Sequence, residues 1–86
     1  MDKFIDWMPR AKEEVHEHLQ NNPKAFKRIQ ELLKDIQKSP YKGIGKPEPL
    51  KYDLSGWYSR RIDKTNRLVY LVTDEAIIIL SCKYHY

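Results

Sequence analysis

Apolar residues recur at helical spacing along the first half of the chain and run together along the second half, and that change of period organises the sequence. Phe26, Ile29, Leu32, Leu33 and Ile36 mark one face at i, i+3, i+4 spacing, with Lys24, Lys27, Arg28, Glu31, Lys34 and Asp35 outside it. That pattern predicts a helix from Pro23 to about Gln37. Asn21-Asn22 reads as a break and an N-cap, and Pro23 takes the first helical position, where the missing N–H costs nothing. A narrower stripe, Ala11, Val15 and Leu19, predicts an earlier helix from Pro9 to Gln20. Phe4-Ile5-Asp6-Trp7 before it reads as a short strand.

Ser39-Pro40 ends the second helix, and Pro40, Gly43, Gly45, Pro47 and Pro49 make residues 40–49 a loop with restricted backbone. Beyond it the alternation is that of strands. Leu50 to Asp53 starts one, Trp57 to Ile62 forms another, and Lys64-Thr65-Asn66 is a turn. Arg67 to Thr73 and Ala76 to Tyr84 are further strands, joined at Asp74-Glu75. These two are apolar at both parities, which predicts central strands covered on both faces. Short turns predict an antiparallel meander. Two helices followed by a meander is an α+β layout.

Eighty-six residues with 41% hydrophobic content are expected to form one domain, residues 1–86. No apolar run approaches a membrane span, and Met1-Asp2-Lys3-Phe4 lacks the layout of a signal peptide. The one cysteine, Cys82, has no internal disulfide partner, so a cytoplasmic location is the expectation. The net charge of +4 is unevenly spread. Residues 1–37 carry seven basic and seven acidic side chains, whereas residues 38–67 carry eight basic against three acidic. The basic segment is interleaved with Tyr41, Tyr52, Trp57 and Tyr58, a composition suited to a polyanion whose bases can stack. The plainer alternative is a solvated basic face.

Several chemistries are excluded by spacing. His16 and His18 point in different directions from a helix, and Cys82 and His85 would face opposite sides of a strand, so no metal site is expected. Gly43-Ile44-Gly45-Lys46 lacks the spacing and the following hydroxyl of a phosphate-binding loop. Cys82, inside an apolar strand, reads as a core residue. What remains suits phosphodiester cleavage without a metal or other cofactor. That reaction needs a base on the RNA 2′-hydroxyl, cations on the phosphate and an acid on the leaving oxygen. Glu48, pinned between Pro47 and Pro49, is the candidate base. Arg60, Arg61 and Arg67 are candidate phosphate cations, though Arg60 and Arg61 must point to opposite faces, so one of them joins the site. His85, the side chain that titrates near neutrality, is the candidate acid. The bland alternatives are a solvated loop carboxylate, solubilising arginines on a strand edge and a solvated terminal histidine.

Four blocks carry a resemblance to a known family. They are Gly45-Lys46-Pro47-Glu48-Pro49-Leu50-Lys51, Leu54-Ser55-Gly56-Trp57-Tyr58-Ser59-Arg60-Arg61-Ile62, Arg67-Leu68-Val69-Tyr70 and Cys82-Lys83-Tyr84-His85-Tyr86. In this order, over residues 39–86, they resemble the YoeB (Txe) branch of the RelE-type bacterial toxins. The resemblance implies a microbial RNase fold, with two N-terminal helices packed on a small antiparallel sheet. It implies a metal-independent endoribonuclease that enters the ribosomal A site and cuts messenger RNA, and an antitoxin of the YefM/Phd type. By position, Glu48 would be the general base, Arg67 the phosphate-stabilising arginine, His85 the general acid and Tyr86 the terminal aromatic that supports the site or stacks on a base. Lys51 and Arg61 would be secondary basic contacts, with Arg61 favoured over Arg60, and Lys46 and Arg60 complete the expected RNA-binding set. A homodimer is compatible with the family, and operator DNA would be reached through the antitoxin alone. The first third departs from the family pattern: Pro9 arrives early, and the first helix is poor in aromatics.

Two other functions fit the same composition. One is a non-catalytic RNA-binding module using the same basic and aromatic patch. The other is a DNA-binding co-repressor acting with its antitoxin, although residues 1–37, with zero net charge, offer no basic recognition helix.

Overall fold

The computed structural model describes residues 2–84; His85 and Tyr86, both assigned site roles from sequence, lie outside that range. The elements in chain order are β1 (Phe4–Trp7), α1 (Pro9–Asn21), α2 (Pro23–Lys38), β2 (Glu48–Pro49), a 3₁₀ turn (Tyr52–Leu54), β3 (Tyr58–Arg61), β4 (Arg67–Val72) and β5 (Ala76–Ser81). The five strands form one sheet in the order β1-β5-β4-β3-β2. Strands β3 to β5 make the expected antiparallel meander and β2 adds to β3, also antiparallel, while β1 joins β5 in parallel, with Phe4 opposite Ala76 and Trp7 opposite Ile79. The sheet is therefore mixed and the fold α+β.

Both helices begin as their sequences dictate. Pro9 and Pro23 occupy first-turn positions, and the Asn22 side chain accepts a hydrogen bond from the Ala25 amide at 3.3 Å. Helix α2 buries Ala25, Ile29, Leu32 and Ile36 against Leu68, Tyr70, Ile77 and Ile79 of the sheet. Full burial of an aliphatic side chain of this size is worth about 1.5–3 kcal/mol, so this stripe is the main driving force for docking the helix.

Helix α1 corrects the sequence reading. Leu19 is 48% exposed, and the buried face consists of Ala11 and His18, with Val15 packed beside them. At about 100° per residue, position 18 returns to within about 20° of position 11, whereas position 19 overshoots by about 80°. The polar His18 therefore takes the core position. Its Nε2 lies 2.8 Å from the Cys82 carbonyl oxygen.

Two strand assignments also shift. The segment 50–53 is a turn, and the strand lies earlier, at Glu48–Pro49, where Glu48 pairs with Ser59. Tyr52 has φ +58°, so the chain turns there and cannot extend. Strand β5 ends at Ser81. It is covered unevenly: Ile77 and Ile79 are buried, while Ala76, Ile78 and Leu80 are only half-buried, so its second face is more open than its composition suggested. A bulge lies between β4 and β5, since Tyr70 pairs with Ile79 but Val69 pairs with Ser81. Leu80 is the extra residue, and it re-aims the chain that follows.

Candidate functional site

Strand register divides the chemistry between two faces. Directly opposed residues share a face and neighbours along a strand alternate. Arg60 pairs with Leu68 and Tyr58 with Tyr70, and Leu68 and Tyr70 belong to the helix-packed core. Glu48 pairs with Ser59, Ser59 with Val69, and Arg61 with Arg67. These five residues therefore belong to the opposite face, the one the helices leave uncovered.

Arg60 must be removed from the expected RNA contacts. It is 0% exposed and its guanidinium is spent inside the molecule. It donates to Asp35 at 2.5 Å, to the Tyr70 hydroxyl at 3.1 Å, and to the carbonyls of Ser39, Lys42 and Ile44 at 2.6–3.1 Å. Asp35 also accepts from the Ile44 amide at 3.0 Å. The hydrogen bond from Arg60, more than any other influence, holds the Asp35 carboxyl below its usual range. Arg60 thus fastens the loop between α2 and β2 to the sheet. Gly43 makes the approach feasible, for at φ +127° an added Cβ would lie 2.0 Å from the Asp35 carboxylate.

On the open face, the loop so fastened delivers Glu48 to the sheet edge. The Glu48 carboxylate lies 4.0 Å from the Arg67 guanidinium, and Arg67 donates to the Ser59 hydroxyl at 3.2 Å. The Glu48 side chain is 56% exposed and that of Arg67 18%, so the base candidate faces solvent while the cation is held against the sheet. Arg61 sits directly across from Arg67 and makes no ion pair among the described residues. Like charges opposed on adjacent strands are destabilising, and an anion seated between them relieves the repulsion. Arg61, Asp63, Lys64 and Arg67 line a recess of about 260 Å³. Lys46 and Lys51 are exposed on the segments flanking Glu48; Lys46 has φ +50°.

Sequence reasoning missed Ser59, although its strand parity with Arg61 signals the shared face. It also missed how the C-terminal segment is held. Glu14 accepts from the Cys82 amide at 2.8 Å, and Lys83 donates to Glu17. Cys82 is fully buried, with its thiol 3.8 Å from the Ala11 carbonyl. Burial above all, with the nearby Glu14 charge, pushes that thiol up to about 12, so it is an inert core group. Among the described residues no cluster of three metal-ligating side chains occurs, and no helix is long and apolar enough to cross a membrane.

Comparison with known proteins agrees with this architecture. The sequence pattern of a family described as "YoeB-like toxin of bacterial type II toxin-antitoxin system" matches residues 7–86. Toxin YoeB of Streptomyces coelicolor is 55% identical over 67 residues, covering 78% of this chain and 80% of that one. The structure of a YoeB dimer from Staphylococcus aureus superimposes with a TM-score of 0.95 at 49% identity over the whole of both chains. A YoeB–YefM complex from Staphylococcus aureus gives 0.91 at 50% identity, again over both whole chains.

Proposed function

Because the chain belongs to the YoeB-like toxins of bacterial type II toxin–antitoxin systems, we propose that it is a metal-independent endoribonuclease that cuts messenger RNA in the ribosomal A site and so arrests translation. Glu48 takes the proton from a 2′-hydroxyl, and the freed oxygen attacks the adjacent phosphorus. The bond from phosphorus to the 5′-oxygen breaks, and His85 gives that oxygen its proton. The products are a 2′,3′-cyclic phosphate and a 5′-hydroxyl. Arg67 and Arg61 meet the non-bridging oxygens, whose charge grows in the transition state. Lys46 and Lys51 hold the RNA backbone, and Tyr86 supports the site or stacks on a base.

The observation that carries this reading is the Glu48 carboxylate 4.0 Å from the Arg67 guanidinium, on the face that also presents Arg61. A base and a phosphate cation at that separation can serve one phosphodiester. The inhibitor is a YefM/Phd-type antitoxin, in line with the YoeB–YefM complex of the Staphylococcus aureus relative. Operator DNA is reached through that antitoxin, and a homodimer is one resting form. The test is growth arrest beside antitoxin binding. Glu48→Ala and His85→Ala should each relieve arrest while still co-purifying with the antitoxin. A folded double variant that arrests growth as the parent does would reject the reading.

A further inference from the structure

The turn between β3 and β4 is tied to the C-terminal segment through one side chain. Asp63 closes the turn by accepting the amides of Thr65 at 2.9 Å and Asn66 at 2.8 Å. Asn66, only 8% exposed, donates its Nδ2 to both Asp63 carboxylate oxygens at 3.1 Å. Its Oδ1 accepts from the Tyr84 amide at 2.8 Å. The next residue, Arg67, donates its own amide to the Tyr84 carbonyl at 2.9 Å. Both backbone polar groups of Tyr84 are thus held by adjacent residues of β4 and its turn. Tyr84 has φ +63°, a conformation that a non-glycine residue keeps when its surroundings fix it. The orientation of the Asn66 amide is determined as well: a carboxylate needs the donor side and an N–H needs the acceptor side.

We propose that Asn66 is a positioning residue that, braced by Asp63, fixes the chain at Tyr84 against Arg67. The backbone at Tyr84 is thereby fixed relative to that of Arg67. That role rests on the ribonuclease reading, in which His85 and Arg67 act on one phosphodiester. A proton donor and a cation on separate segments must keep their spacing within a fraction of an ångström, and a misplacement of 1 Å costs about 10²-fold. Asn66 keeps this spacing without touching the RNA.

The test is a swap. Asn66→Asp retains the acceptor for Tyr84 but sets a second carboxylate against Asp63. Asp63→Asn with Asn66→Asp restores a donor and an acceptor between the two positions and keeps an oxygen for the turn amides. Cleavage of messenger on programmed ribosomes, with exchange of the Tyr84 amide, reads both. Asn66→Asp should lower the maximal rate at least about tenfold, with half-saturation unchanged within about twofold. The double variant should recover most of the rate, and Tyr84 amide protection should be lost and regained in step. A double variant as slow as the single, or a rate that falls only with the folded fraction, would overturn the proposal. Wild-type protein that leaves the messenger intact would sink the ribonuclease reading, while the Tyr84 exchange pattern would still decide whether Asn66 fixes the chain.

Discussion

At the scale of single residues, variants at Glu48 and Arg67 test the proposed catalytic roles against simple RNA binding. Glu48 is half-exposed, and a solvent-exposed ion pair such as its 4.0 Å contact with Arg67 is worth no more than about 1 kcal/mol. Glu48→Gln should therefore lower cleavage by about 10²–10⁴-fold, the usual range for a general base, and move the thermal midpoint little. Arg67 is held by the Ser59 hydroxyl and by its backbone bond to Tyr84. Arg67→Lys keeps the charge but loses the planar fork, so single-turnover cleavage should fall by more than RNA affinity does. Equal losses would make Arg67 a binding residue. Cys82 should resist iodoacetamide in the native protein at neutral pH and react once the chain is unfolded, because burial keeps it a thiol. The exposed placement of Glu48 was legible in the sequence, since flanking prolines isolate it. So was the opposition of Arg60 and Arg61. Parity alone does not say which of the two is inside, because that depends on which sheet face the helices cover; the family resemblance is what favoured Arg61 as the exposed one. His18 was illegible for a related reason: a polar residue enters the core only when a distant carbonyl, here that of Cys82, waits for it.

At the scale of elements, the loop from α2 to β2 is held by the buried Arg60 guanidinium and its oxygen acceptors, with the Tyr41 ring packed 4.7 Å from that of Tyr58. Arg60→Met removes the donor from three carbonyls and from Asp35 while keeping much of the side-chain volume. Breaking such a network costs about 3–5 kcal/mol, measurable as a lower midpoint in urea. The same network predicts a pH limit. The Asp35 carboxyl is lowered chiefly by its hydrogen bond from Arg60. Burial pushes Asp63 up, but the hydrogen bonds of the turn outweigh it and leave its carboxyl lowered too. Carboxyls that titrate lower when folded bind fewer protons in the native state, so their stabilisation is complete above the ordinary value of 3.8 and is lost as pH falls through the folded values. Thermal midpoints should fall below about pH 4, and less steeply for Arg60→Met, which has already lost the Asp35 share. The boundary of β2 was misread because two residues are too few for any periodicity to register. The pairing of Glu48 with Ser59 is a tertiary fact.

At the scale of the whole molecule, the sheet separates a structural face from a chemical one. Its helix-covered side holds Leu68, Tyr70, Ile77, Ile79 and the buried Arg60. The other side exposes Glu48 and Arg61, with Arg67 partly covered and the buried Ser59 hydroxyl holding it from beneath. The meander was readable because short turns leave adjacent strands little choice of partner. The parallel docking of β1 on β5 was not, since it joins segments about seventy residues apart and no local pattern encodes it. On this separation rests the proposal that the open face promotes attack by the RNA's own 2′-hydroxyl. The most direct measurement is cleavage of a messenger on programmed ribosomes with a single 2′-deoxynucleotide at the cleaved position, with the ends of the all-ribose product identified. The account predicts no cut at the deoxy position, and a 2′,3′-cyclic phosphate or 3′-phosphate with a 5′-hydroxyl from the all-ribose messenger. Equal cutting of both messengers, or a 5′-phosphate on the downstream fragment, would contradict it.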